Sequence, residues 1–201
     1  MRLSPKQQRK NGDGDEASAA SLSVPGALLA NLAILGTLGV AFVLDSSDPD
    51  LYYRAIQEDE GIEWATFWSF ILAAGVFAAV AVRQRSAGIS LPWFHAGLAL
   101  FCFFVAMEEI SWAQRVIGYR PPTYFLEFNF QQELNVHNVF STGLRKFVLK
   151  GIILGYGVLL PTLALAGPIR SLLGRFGIQP PPLALAPGFF ATYLAYEIYP
   201  L

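Results

Sequence analysis

Two stretches of this chain, Gly26 to Leu44 and Trp64 to Val82, run without a single charged residue. A helix rises about 1.5 Å per residue, so about 20 apolar residues cross roughly 30 Å of hydrocarbon, and runs of this kind read as transmembrane helices. Three further apolar segments follow, from Leu91 to Trp112, Gly151 to Gly167 and Leu183 to Tyr199. The expected fold is all-α: an integral membrane helical bundle of about five transmembrane helices, near 26–44, 64–82, 91–112, 151–167 and 183–199. Composition agrees, with 54% hydrophobic residues, 14% charged residues and a mean hydropathy of +0.43, whereas soluble domains are about a quarter charged. In 201 residues there is room for four to six spans and no separate soluble domain.

Charge is distributed along the chain by segment. Residues 1–24 carry Arg2, Lys6, Arg9 and Lys10 ahead of a Gly/Asp/Ser/Ala stretch without apolar periodicity, and are expected to be a disordered tail. Residues 25–201 then form one transmembrane domain. The polar lead and the absence of an A-x-A site before Asp45 argue for a retained first span over a cleaved signal peptide. An N terminus on the cytoplasmic side puts eight Lys and Arg inside, including Arg83, Arg85, Arg170 and Arg175, and twelve of fifteen carboxylates outside. The acidic stretch from Asp45 to Glu60 reads as a solvated loop, and Pro180-Pro181-Pro182 as a stiff turn. Trp64, Trp93 and Trp112 suit interfacial anchors. With a net charge of −1 and no basic stripe, a nucleic-acid partner is excluded. The single cysteine, Cys102, lies in an apolar run and reads as packing.

The third span ends in Glu108-Glu109-Ile110-Ser111-Trp112-Ala113-Gln114-Arg115. Carboxylates at the edge of hydrocarbon must be paired, hydrated, protonated or bound to a cation, so they mark a candidate site. On a continuous helix Glu108, Ser111, Trp112 and Arg115 share one face, while Glu109 points about 100° away. The bland alternative is that Arg115 neutralises Glu108 and Glu109 reaches headgroup water.

A second cluster runs Asn129-Phe130-Gln131-Gln132-Glu133-Leu134-Asn135-Val136-His137-Asn138. Its polar residues alternate, which suits an extended segment, while Asn129, Glu133, His137 and Ser141 would form an i+4 stripe on a helix. Either geometry puts Glu133 and His137 on one side, where they could offer an oxygen and a nitrogen to a divalent metal ion. A hydrogen-bonded structural histidine is the commoner use of such a residue. Glu63, Glu108, Glu109 and Glu197 all fall on the predicted outer side and could converge with His137. His95, about 20 Å from Glu108 along the helix, belongs elsewhere.

The motif pair, E-E-I-S-W-A-Q-R followed by N-F-Q-Q-E-L-N-V-H-N, resembles a family of uncharacterised bacterial polytopic membrane proteins over roughly Glu58 to Asn138. That resemblance implies a membrane bundle in a bacterial inner membrane and no particular activity; in that family a Gly often stands where this chain has Ala113. The chain is more loosely similar to the CAAX-type glutamate intramembrane proteases, whose E-E-x-x-x-R helix works with a His and an Asn to activate water. Glu108, Glu109, His137 and Asn138 would fill those roles, although Arg115 follows Glu109 by six residues and the F-x-x-x-H helix is missing. Alkaline ceramidases are fainter still, with Ser90, His95, Glu108 and Glu109 as poor matches.

Two functions compete. In the first, the chain is a membrane-embedded hydrolase or transferase on a lipid-like or membrane-peptide substrate. Glu108, Glu109 and His137 are then the catalytic candidates, and Ser111, Trp112, Gln114, Arg115, Gln131, Asn135 and Asn138 line the substrate. In the second, the chain is a non-enzymatic accessory subunit of other membrane proteins, or binds lipid or ions, with Glu108–Arg115 and Glu133–His137 as structural pairs. Membrane lipid is the partner common to both. No inverted repeat points to a transporter, and no nucleotide, haem or flavin fingerprint is present.

Overall fold

A computed structural model describes residues 24–56, 61–88 and 92–198, and among them every regular element is helical. The expected tail lies outside these residues apart from Val24, as do Glu58, Asp59, Glu60, Ser90, Leu91 and Tyr199.

Three helices are long and apolar enough to cross a membrane: α1 (Val24–Ser47), α3 (Gly61–Ser86) and α7 (Thr142–Leu163). A fourth candidate is α4 (Trp93–Glu109), taken together with a continuation over Ser111–Ile117 that is bent away from it by 63°. The last apolar segment, Leu183–Ile198, is shorter; it contains α9 (Ala186–Ile198). Short helices fill the connections: α2 (Pro49–Ala55), α5 (Gln114–Ile117), α6 (Thr123–Phe128) and α8 (Gly167–Arg175).

Local chemistry explains where these boundaries differ from the hydropathy pattern. The acidic stretch after α1 is partly helical because Asp48 caps α2 by accepting from the Leu51 N–H at 3.0 Å, with Pro49 in the first turn. Helix α7 starts at Thr142, well before Gly151, because the Ser141 hydroxyl accepts from the Leu144 N–H. Its first turns therefore carry Arg145, Lys146 and Lys150, which hydropathy alone assigns to a loop. The helix tolerates them because Lys150 pairs with Glu197 at 2.8 Å and Arg145 donates to Asn138 Oδ1 at 2.6 Å. Further along, Pro161 has no N–H to offer Gly157, and the chain widens into a π turn over Gly155–Leu159 just before it.

The packing is inverted relative to a water-soluble domain. The buried apolar residues are Ala27, Ala74, Ala81, Cys102, Ala106 and Ala164, whereas Leu72 and Leu100 are 68% and 71% exposed. Buried with these small residues are Glu108, Ser111, Asn129, Glu133, Asn135 and Asn138. Small residues inside, polar groups satisfied against one another and large apolar side chains outward is the arrangement that lipid demands.

Helices α3 and α4 pack as an antiparallel pair, which brings Glu63 at the start of α3 to the same end as Glu109 at the close of α4. Helix α9 packs on α1 and α7. Asn31 of α1 locks that contact by donating to Ala184 O at 2.7 Å and accepting from the Gly188 N–H at 2.7 Å. Gly157 is a glycine by necessity, because a Cβ there would lie 2.2 Å from the Phe189 ring.

Candidate functional site

The helix that begins at Trp93 stops at Glu109. Ser111, Trp112 and Ala113 then take the left-handed conformation in succession, with φ of 47°, 54° and 61°. Each such residue bearing a Cβ costs about 1–2 kcal/mol, so side-chain contacts must hold the turn. Trp112 Nε1 donates to Glu108 Oε1 at 2.7 Å, the Ser111 hydroxyl donates to Glu133 Oε2 at 2.5 Å, and Gln114 Oε1 accepts from the Leu134 N–H at 2.6 Å. The single helical face expected for Glu108, Ser111, Trp112 and Arg115 is thus replaced by a break, because Glu108, Ser111 and Arg115 are recruited by a loop distant in sequence.

That loop is the second cluster, and it is neither the extended segment nor the helix that its spacing allowed. It is an irregular fold closed on itself and on the end of α4. Asn129 Nδ2 donates to the Asn135 carbonyl at 2.8 Å and to Asn135 Oδ1 at 2.7 Å, while Asn129 Oδ1 accepts from the Gln131 N–H at 2.8 Å. Asn135 Nδ2 reaches Ser111 Oγ at 3.0 Å and Glu133 Oε2 at 3.2 Å. Asn138 donates to Gln131 and accepts from Arg145, and Gln132 takes a left-handed φ of 59°. Polar side chains satisfy the backbone of a loop that has no regular structure to do so.

The two neighbouring carboxylates of α4 have different fates. Glu108, buried, accepts from the backbone N–H groups of Val136 at 2.6 Å and His137 at 2.9 Å through Oε2, in addition to Trp112 through Oε1. The same Oε2 lies 3.3 Å from His137 Nδ1. Glu109 is half-buried, and among the described residues no hydrogen bond engages its carboxylate. It lines a cavity of about 150 Å³ together with Glu63, Arg115, Gln131, Asn135 and His137; Ile56 and Glu133 complete the wall.

Three sequence expectations are corrected here. Arg115 forms its ion pair with Glu133, not with Glu108, because the break after Glu109 swings it toward the loop. His137 turns to Glu108, not to Glu133, so the Glu133–His137 pair is absent. The divalent-metal role of Glu133 and His137 loses its basis for the same reason: the Glu133 carboxylate is taken by Arg115, Ser111 and Asn135. Among the described residues no three His, Cys, Asp or Glu side chains are grouped to hold a metal ion.

Of the predicted site residues, Glu109, Arg115, Gln131, Glu133, Asn135 and His137 meet at the cavity. Glu108, Ser111, Trp112, Gln114 and Asn138 form the framework behind it. Glu197, expected to converge with them, is tied to Lys150 instead. Glu63, expected to converge with His137, joins the cavity from α3, and Arg145, which was not among the candidates, supports it through Asn138. The register of Glu63 at the start of its apolar helix was the available signal, whereas nothing local marked Arg145. No protein-family model, curated protein or solved structure matches this chain.

Proposed function

We propose that the chain is a five-span protein of a bacterial inner membrane, N terminus cytoplasmic, whose outer-end cavity performs acid–base chemistry on a lipid-like or membrane-peptide substrate as a hydrolase or transferase. Its motif pair groups it, on this reading, with the polytopic bacterial family it resembles. The inverted packing supports a lipid environment, and Leu183–Ile198 supplies the fifth, shorter span. The observation that carries the chemical reading is the contrast between adjacent carboxylates: Glu108 is saturated by hydrogen bonds, while Glu109 faces a cavity that it shares with His137.

The roles follow from that contrast. Glu108 is a positioning residue: it fixes the backbone of His137 and, by accepting from Nδ1–H, leaves Nε2 as the working nitrogen. Glu109 takes the proton of a water or hydroxyl nucleophile, and protonated His137 gives one to the leaving group. Arg115, held at the wall by Glu133, faces an anionic group of the substrate.

A second reading, lipid or ion binding without turnover, is favoured by the completeness of the Glu108 and Glu133 networks, which serve structure as well as catalysis. The test compares membranes expressing wild type, Glu109→Gln and His137→Ala at equal abundance, profiling lipids and membrane peptides by mass spectrometry. Turnover gives a product present with wild type and missing with both variants. Identical profiles for all three overturn the enzymatic reading and leave binding.

A further inference from the structure

At the opposite end of the α3–α4 pair lies a second and larger cavity, of about 430 Å³, that the chemistry above does not use. Its formation begins with the end of α8. Gly177, at a φ of +67°, reverses the chain there, and the Ile178 N–H bonds back to the Leu173 carbonyl at 2.9 Å. That turn presents the Phe176 carbonyl to Trp93 Nε1 at 2.7 Å, pinning α8 to the first residue of α4. Between them the cavity is walled by Trp93, Phe94 and Phe176 and by the polar side chains of Gln84, His95, Arg175 and Gln179. His95 is buried, and its Nδ1 lies 3.0 Å from Gln84 Oε1, so Nδ1 carries a proton and both side chains are fixed in place.

Among the described residues the charge at this end is one-sided. From Ala81 to Met107 and from Gly151 to Tyr196 the sequence has no Asp or Glu, while Arg83 and Arg85 close α3 and Arg170 and Arg175 lie on α8 at this end. Among the described residues no carboxylate lines the cavity. A half-open cleft of about 430 Å³ with aromatic walls, amide donors and a guanidinium has the size and chemistry of a small-molecule site. A guanidinium with no acid beside it selects for an anion, and phosphate matches its fork.

We propose that this cavity is a binding site for a phosphate-bearing headgroup, with Arg175 and Gln179 on the phosphate and Trp93 and Phe176 against its apolar neighbour. The two sources of that chemistry are an anionic phospholipid of the surrounding leaflet and a soluble phosphoester.

Native mass spectrometry of the detergent-purified full chain distinguishes them, using phosphatidylglycerol, phosphatidylcholine and inorganic phosphate as probes. Wild type should retain phosphatidylglycerol in preference to phosphatidylcholine, and Arg175→Gln should weaken that retention about tenfold. Arg175→Lys, which keeps the charge without the fork, should fall between them. Arg170→Gln removes the same charge from the same end, but Arg170 donates to the Ala164 carbonyl and does not line the cavity, so it should retain lipid like wild type. Displacement of the lipid by millimolar inorganic phosphate assigns the site to the soluble source. Equal losses in Arg170→Gln and Arg175→Gln mean a diffuse basic surface and overturn the proposal, as does wild type with no preference for phosphatidylglycerol and no bound phosphate.

Discussion

Ala113 is the residue at which backbone and side chain disagree most plainly. It closes a run of three left-handed residues with a methyl group that its φ of 61° disfavours. Ala113→Gly should therefore raise stability by about 1 kcal/mol, seen as a thermal midpoint several degrees higher in detergent. An unchanged or lower midpoint would mean that the turn is relaxed in the folded protein. Glu133 has the opposite sensitivity. Its carboxylate holds Arg115, Ser111 and Asn135 together, and Glu133→Ala takes a charged partner from a guanidinium and an acceptor from a buried hydroxyl. Arg115 keeps some contact with solvent, so the expected loss is about 2–3 kcal/mol, below the 3–5 kcal/mol of a fully buried pair. A denaturation midpoint within error of wild type would contradict that network.

At the level of elements, the contact between α7 and α9 rests on an absent side chain. Gly157→Ala sets a methyl into the Phe189 ring and should cost about 1–3 kcal/mol, part of which Phe189→Leu in the same chain should restore. Failure of the second change to rescue the first would locate the strain elsewhere in the π turn. The apolar cores of α1, α3 and α4 were legible in the sequence because a charge-free run in this range reads as a long apolar helix. The start of α7 was not, since Arg145 and Lys150 are admitted to the helix only by Asn138 and Glu197, one at the far end of a loop and the other near the end of the chain. The break after Glu109 was hidden for a related reason. Ser111, Trp112 and Arg115 fit a helical face well, and the loop partners of Ser111 and Arg115 pull the chain off it.

Across the whole molecule, the two ends of the α3–α4 pair differ in sign: carboxylates and His137 at one, arginines around a larger cavity at the other. With an N-in topology the acidic end lies outside, so a cysteine replacing Gln131 should react with an impermeant thiol reagent in intact cells, and one replacing Gln179 only after permeabilisation. The reverse pattern would invert the bundle. Sequence reasoning named most of the residues at the acidic end but paired them wrongly, since spacing along a chain does not reveal which carboxylate a folded loop will claim. The central claim is the division of labour between neighbours, Glu108 building the site and Glu109 working in it. It is tested most directly by melting Glu108→Gln and Glu109→Gln beside wild type in one detergent. The account predicts a marked fall for Glu108→Gln, about 2–3 kcal/mol as two part-buried backbone N–H groups lose a charged acceptor, and a midpoint near wild type for Glu109→Gln. Equal falls for both variants, or a larger fall for Glu109→Gln, would contradict it.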